Sequence, residues 1–287
     1  MKNILVTGSN GQLGSELRKL AVDDNEYFRY YFTDIAELDI TDRRAVYDFI
    51  ETHQISLVVN CAAYTAVDKA ESEEELCNLL NHIAPGYLAE AVESVGGVMI
   101  QISTDYVFDG TSCVPYCEDD NTNPKTVYGR TKLQGEELVI RNCAGSMVIR
   151  TAWLYSTFGN NFVKTMIRLG NERQRLGVVS DQTGTPTYAR DLAQTILKVI
   201  EKGVVPGVYH YTNEGTCSWY DFCQRIHKIA GVKDCQVDPI HTDEYPVPAP
   251  RPHYSVLDKT KIKSVYGISI PWWEDSLADC IKKLNNQ

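Results

Sequence analysis

Apolar and polar positions switch between two periods along the first half of the chain. Asn3-Ile4-Leu5-Val6-Thr7 is a short apolar run that reads as a buried β-strand, and Gln12 to Leu20 carries Leu13, Leu17 and Leu20 on one helical face. The alternation then repeats. Tyr27–Thr33 predicts a second strand, Asp42–His53 a helix with Ala45, Val46, Phe49 and Ile50 turned inward, and Leu57–Asn60 a third strand. A long helical region spans Glu73 to Val95, Val98–Ser103 is a fourth strand, Val127 to Asn142 a helix and Met147–Arg150 the next strand. Strands alternating with helices of this length form a parallel sheet covered on both faces. Right-handed crossovers make it a Rossmann-type, doubly wound α/β fold.

After Arg150 the pattern loosens. Helices are expected at Asn161–Leu169, Ala189–Ile200, Trp219–Ile229 and Glu274–Leu284, with short strands near Val178-Val179 and Val208–Tyr211. Prolines at 246, 248, 250 and 252 force an extended loop. Residues 1–150 are thus expected to form a dinucleotide-binding domain, to which later segments can return. Residues 151–287 are expected to form mainly a smaller α/β substrate-binding domain.

Composition narrows the function. A formal net charge of −10 opposes general binding to nucleic acid or to an anionic membrane, both of which need basic surface. No apolar run approaches the length of a spanning helix, and the residues after Lys2 are too briefly apolar for a secretory signal. The nine cysteines are odd in number and form no Cys-x-x-Cys pair. They read as small buried hydrophobes in a reducing cytoplasm rather than as disulfides or zinc ligands.

The chemistry starts at the first turn. Gly8, Gly11 and Gly14 in Val-Thr-Gly-Ser-Asn-Gly-Gln-Leu-Gly stand between strand and helix, where a glycine turn lets backbone approach a pyrophosphate at the helix N-terminus. Asp34 closes the second strand, 20 residues after Gly14, where a carboxylate can bond an adenosine ribose. An acid there repels a 2′-phosphate and favours NADH; Asp39 is a second candidate. The small residues of Asn60-Cys61-Ala62-Ala63-Tyr64-Thr65, after the third strand, would let a cofactor lie near backbone. The fourth strand ends in Ser103-Thr104-Asp105-Tyr106. Tyr128 and Lys132, four residues apart, share a helical face. An ammonium beside a phenol is expected to lower its pKa from about 10 toward neutrality, and a threonine hydroxyl can orient a substrate oxygen. This set suits hydride transfer at a carbon bearing oxygen.

With these residues in hand, the chain resembles the extended short-chain dehydrogenase/reductase superfamily and, within it, the dTDP-4-dehydrorhamnose reductase family. The likeness extends through Ala63–Glu71, Ser103–Phe108, Tyr128–Lys132, Arg150–Tyr155, Gly159–Met166, Asp181–Thr187 and Arg251-Pro252, nearly end to end. The resemblance implies that Tyr128 protonates the C4 oxygen of a dTDP-keto-sugar as NADPH or NADH delivers hydride. Lys132 would hold the nicotinamide ribose and tune Tyr128, while Thr104 would bind the reacting oxygen. Asp105, Trp153, Asn161 and Arg251 fall on the substrate side. Gly8, Asn10, Gly11, Gln12, Leu13, Gly14, Asp34, Asp39, Ile40, Ala62, Ala63, Tyr64, Thr65 and Ser103 fall on the cofactor side, with Tyr128 and Lys132 shared. Some members bind Mg²⁺ through acidic residues at a dimer interface. This chain keeps Glu16 but carries Arg190-Asp191 where those members have glutamate, so the metal is not carried over, and both monomer and homodimer stay open.

Two other functions share parts of this pattern. A related nucleotide-sugar epimerase or 4,6-dehydratase is one, although dehydratases place a glutamate after the Thr-Asp pair, where this chain has Tyr106. A non-catalytic module resembling the regulatory subunit of methionine adenosyltransferase is the other; intact Thr104, Tyr128 and Lys132 disfavour it.

Overall fold

Ile4, Leu5 and Val6 lie fully buried at the centre of the computed structural model, which describes residues 2–21 and 27–286. They belong to β1 (Lys2–Thr7), whose middle, Ile4–Val6, is continuously apolar because helices cover both faces of its sheet. The next elements are α1 (Gln12–Leu20), β2 (Phe28–Phe32), α2 (Arg43–Thr52) and β3 (Ile55–Asn60). The Asp42 carboxylate starts α2 by accepting from the backbone N–H groups of Arg44 and Ala45.

The helical region predicted for Glu73–Val95 is continuous but uneven. After α3 (Val67–Ala70) and α4 (Glu74–Asn78), the chain widens into a π-helical turn at Leu79–Ile83 before α5 (Ala84–Ser94). Pro85 has no N–H to donate, and the wide turn just ahead of it accommodates the missing bond. β4 (Val98–Thr104), α6 (Val127–Asn142) and β5 (Met147–Thr151) follow. In α6, Gly135 packs on that π turn: a Cβ there would lie 2.0 Å from the Asn81 carbonyl oxygen.

Beyond residue 151 the chain forms β6 (Leu154–Tyr155), α7 (Phe162–Glu172), β7 (Arg175–Val179), β8 (Thr183–Gly184) and β9 (Thr187–Tyr188). There follow α8 (Ala189–Lys202), β10 (Gly207–His210), β11 (Cys217–Ser218), α9 (Trp219–Ala230), β12 (Gln236–Ile240), α10 (Thr260–Tyr266) and α11 (Trp273–Leu284). β12 was not among the expected strands; it contains Asp238 and Pro239, residue types depleted in strands. It pairs in parallel with β7 alone, and a strand with one neighbour tolerates a proline.

Six parallel strands run in the order β2-β1-β3-β4-β5-β10. The strand order reverses beside β1, which opens a crevice beyond the carboxyl ends of β1 and β3. One apolar cluster joins Leu13 and Leu17 of α1 to Leu192, Ala193 and Ile196 of α8 beneath the sheet. A separate cluster around Tyr155, Val163, Phe222, Ile226 and Leu277 holds α7, α9 and α11 together. No described helix is long and apolar enough to cross a membrane.

His210, at the end of β10, is buried against the edge of Phe108 and near Arg150, with one ring nitrogen 3.1 Å from the Tyr116 carbonyl oxygen. Burial, then the Arg150 charge, hold its pKa down at about 3. The folded protein therefore keeps it neutral, whereas the unfolded chain takes up a proton below pH 6.5. Its contribution is complete above that pH and is lost as pH falls from 6.5 toward 3. Between pH 7 and 5.5, wild type should lose about 1 kcal/mol more stability than His210→Asn in urea titrations. Parallel losses in the two proteins would contradict this assignment.

Candidate active site

The β1–α1 turn is held by close backbone packing. Gly8 has φ +62°, and a Cβ on it would sit 2.6 Å from the Ala62 backbone nitrogen. Gly14, in the first turn of α1, faces the Gly8 carbonyl oxygen and the Ser9 Cα, each 2.5 Å from where its Cβ would be. The first glycine thus seats the turn on the loop after β3, and the third seats the helix on the turn. Gly11 stands at the N-cap of α1, and no side chain caps that helix. Asp34 is drawn in by backbone: its two oxygens accept from Asn10 N at 3.0 Å and Ile35 N at 2.9 Å.

The turn borders a cleft of about 910 Å³ over the strand ends. Among the residues expected on the cofactor side, Gly8, Asn10, Gly11, Gln12, Leu13, Asp34, Asp39, Ile40, Ala62, Ala63, Thr65 and Ser103 line it. So do Thr104, Asp105, Tyr128, Lys132, Trp153 and Asn161. Three expected residues stand elsewhere. Gly14 is packed behind the turn. The Tyr64 hydroxyl leaves the cleft to donate to Glu73 at 2.5 Å, while its backbone N and O are clamped by the Asn81 side chain. Arg251 pairs with Asp68 at 2.7 Å and borders a separate hollow of about 70 Å³, which shares only Tyr106 with the cleft.

The electrostatics differ from expectation. Burial pushes the Tyr128 phenol well above its ordinary pKa; the Thr104 hydroxyl beside it opposes this, and the Asp105 charge adds to it. Lys132 does not lower it. The lysine Nζ donates to the Ile102 carbonyl oxygen at 2.6 Å, and burial drops its own pKa to about 8 against the pull of Glu136. In this enclosed site, loss of hydration outweighs a nearby cation. Tyr128 is a neutral phenol carrying its proton.

Thr104 Oγ1 donates to Asp105 Oδ1 at 3.0 Å and accepts from Tyr106 N at 3.2 Å. Burial raises Asp105 to about 6, opposed by the Ser255 and Thr104 hydroxyls. Its Oδ2 is buried without a hydrogen-bond partner among the described residues. Ser103 turns its hydroxyl onto Glu136, which also binds Arg150 at 2.7 Å in a fully enclosed ion pair. Asn161 caps α7 through Lys164 N and spends its amide on Gln12 Oε1, at 3.0 Å, and on the Ser156 carbonyl. It therefore ties the glycine turn to the chain beyond β6.

Trp153 has φ +48°, an uncommon conformation for an aromatic residue, and stacks on Trp219 with ring centroids 3.6 Å apart. Both rings line the cleft. Trp219 escaped the sequence reading because 66 residues separate it from Trp153 and its helix looked like core. Arg18 escaped too. Standing one turn after Gly14, it reaches back past the start of α1 to Ser9 Oγ at 2.5 Å and Asn10 Oδ1 at 3.4 Å, a local cation that its spacing from Gly14 could have suggested.

Glu16 does not fit a divalent metal. Its enclosed carboxylate accepts from Ser156 Oγ at 2.7 Å and faces the Arg190 guanidinium at 3.6 Å, while Asp191 is engaged by Asn213 and Ser276. No group of three or more His, Cys, Asp or Glu side chains among the described residues could hold a metal ion.

A doubly wound sheet with a glycine-seated turn, a strand-end threonine and a Tyr/Lys pair on one helix defines a Rossmann oxidoreductase of the short-chain dehydrogenase/reductase type. More narrowly, the chain belongs to the family described as the RmlD substrate binding domain, whose pattern matches residues 1–286. It is 41% identical to the dTDP-4-dehydrorhamnose reductase of Aggregatibacter actinomycetemcomitans over 96% of this chain and 97% of that protein. The crystal structure of the dTDP-4-dehydrorhamnose reductase of Clostridium acetobutylicum superposes with a TM-score of 0.94 at 45% identity, covering 99% of each chain. That of Bacillus anthracis, solved in complex with NADP, also gives 0.94 at 39% identity, covering 99% of this chain and 100% of that one.

The stacked indoles yield a test. A Cβ on Gly184 would approach two ring carbons of Trp153 to 2.7 Å. Gly184→Ala should force the indoles apart, weaken their exciton signature in circular dichroism, and cost about 1–3 kcal/mol of stability in urea titration. An unchanged spectrum would show that the stack does not depend on that contact.

Proposed function

We propose that this chain reduces the C4 ketone of dTDP-4-dehydro-L-rhamnose to dTDP-L-rhamnose, using NADPH or NADH. The observation that carries the reading is the convergence of Tyr128, Thr104 and Lys132 in one cleft that a glycine turn borders. Family membership supports the substrate class.

The residues present fit a dinucleotide. Gly8 and Gly11 keep the turn clear of side chains, and the uncapped start of α1 suits a diphosphate. Asp34 and Asp39 stand where a ribose would bond, and Arg18 beside Asn10 offers a counter-charge to a 2′-phosphate. Bound NAD(P)H supplies the hydride that reaches C4. Tyr128 gives its proton to the C4 oxygen, so ketone, hydride and proton together make the alcohol. Thr104 orients that oxygen, Lys132 brings positive charge into the cleft, and Asp105, in the lining beside Thr104, stands on the sugar side. Trp153 and Trp219 form an apolar wall for the sugar. The dehydratase alternative lacks its acid: the position after Asp105 is Tyr106, whose phenol burial also pushes up.

Incubation with the keto-sugar should consume one equivalent of NADPH or NADH, followed by absorbance; a chain that consumes neither is not this reductase. Tyr128→Phe should retain nucleotide binding and lose about 10²–10⁴-fold in kcat, since it removes the proton and little shape. Lys132 is an ammonium below its pKa of about 8 and an amine above it. With the nucleotide varied, kcat/KM should therefore fall as pH rises through about 8, and Lys132→Met should flatten that limb.

A further inference from the structure

A line of buried side-chain amides runs beneath the cleft from the glycine turn to the lysine. The Thr7 hydroxyl, at the end of β1, donates to Asn60 Oδ1 at 2.6 Å. The same oxygen accepts from Ala62 N at 3.1 Å, on the loop that packs against Gly8. Asn60 Nδ2 donates to Gln101 Oε1 at 2.8 Å, and Gln101 Nε2 donates to the Ile102 carbonyl oxygen at 2.9 Å. That oxygen is the one that Lys132 Nζ binds. Thr7, Asn60 and Gln101 are each no more than 1% exposed. The ladder between β3 and β4 ends at Asn60 opposite Gln101, so Ile102 is the first residue of β4 past the end of its neighbour.

We infer that Gln101 is a positioning residue for Lys132: it shares the Ile102 carbonyl with the ammonium and, through Asn60, locks that carbonyl to the turn that binds the nucleotide. The inference rests on the reductase reading for the lysine's role. All three donors point the same way, so the amide dipoles add head to tail and end with a positive edge at the Ile102 oxygen. Two donors on one oxygen compete. Gln101 thereby weakens the hold of that oxygen on Lys132, a residue that lines the cleft. A buried glutamine with both ends bonded across two strands is costly to misplace, which makes the carbonyl a rigid reference point. The charged or titratable groups facing Lys132 are Glu136 one turn along α6, Cys77 from α4 and Cys61 after β3; none belongs to the amide line.

The test uses Gln101→Met and Gln101→Leu, which remove both ends of the amide and add no charge beside Lys132. In each, the ammonium gains sole use of the carbonyl. The pH at which NADPH affinity falls, read by nucleotide fluorescence without substrate, should move up by roughly half a unit or more. With keto-sugar, kcat should fall about tenfold while its KM holds, because the lysine is bound away from its working position. Melting temperature and circular dichroism identify folded variants. Folded variants with an unshifted binding limb and wild-type kcat would overturn the inference. The nucleotide measurement needs no sugar, so wild-type protein that binds NADPH but reduces no keto-sugar would overturn the reductase reading separately.

Discussion

The site depends on one steric constraint, the contact of two backbone loops where no side chain fits. Gly8 at φ +62° sits against Ala62, and Gly14 sits against Gly8. That contact brings the end of β1 to the end of β3, and the rest of the cleft is built outward from it. Asn60 and Thr7 bond directly beneath it, and Asn10 carries Asp34 beside it. A side chain at position 8 would push apart the same surfaces that the buried amides hold together.

Enclosure does the next part of the work. Loss of hydration keeps the proton on Tyr128 and loosens the one on Lys132, the reverse of what a solvated Tyr/Lys pair would do. For a reduction this ordering is useful, since the donor must hold its proton until the carbonyl oxygen gains charge. The raised phenol and the lowered lysine, which together contradict simple helix-face reasoning, share that single cause.

How much could be read beforehand follows from what each residue's role depends on. β1, β3, β4 and β5 were legible because they are apolar on both faces and are separated by helices of ordinary length. The glycine turn, Thr104 and the Tyr128/Lys132 pair were legible because their spacing is local. The directions of the Tyr64 and Arg251 side chains were not legible, because they depend on distant partners, Glu73 and Asp68, that no spacing announces. Trp219 and Gln101 were missed for the related reason that their partners come from other strands or helices. β12 was missed because Asp238 and Pro239 contradict strand composition, and only its place beside β7 explains why they are allowed.

The outermost strand of the main sheet, β10, arrives some 55 residues after its neighbour β5, and α8, which shields α1, arrives with it. A nascent chain released as far as residue 151 would therefore present the whole rim of Met147–Thr151 unpaired, together with the bare apolar flank of Leu13 and Leu17. Closing that edge of the sheet and covering that flank of α1 both wait for the ribosome to deliver residues 189–210.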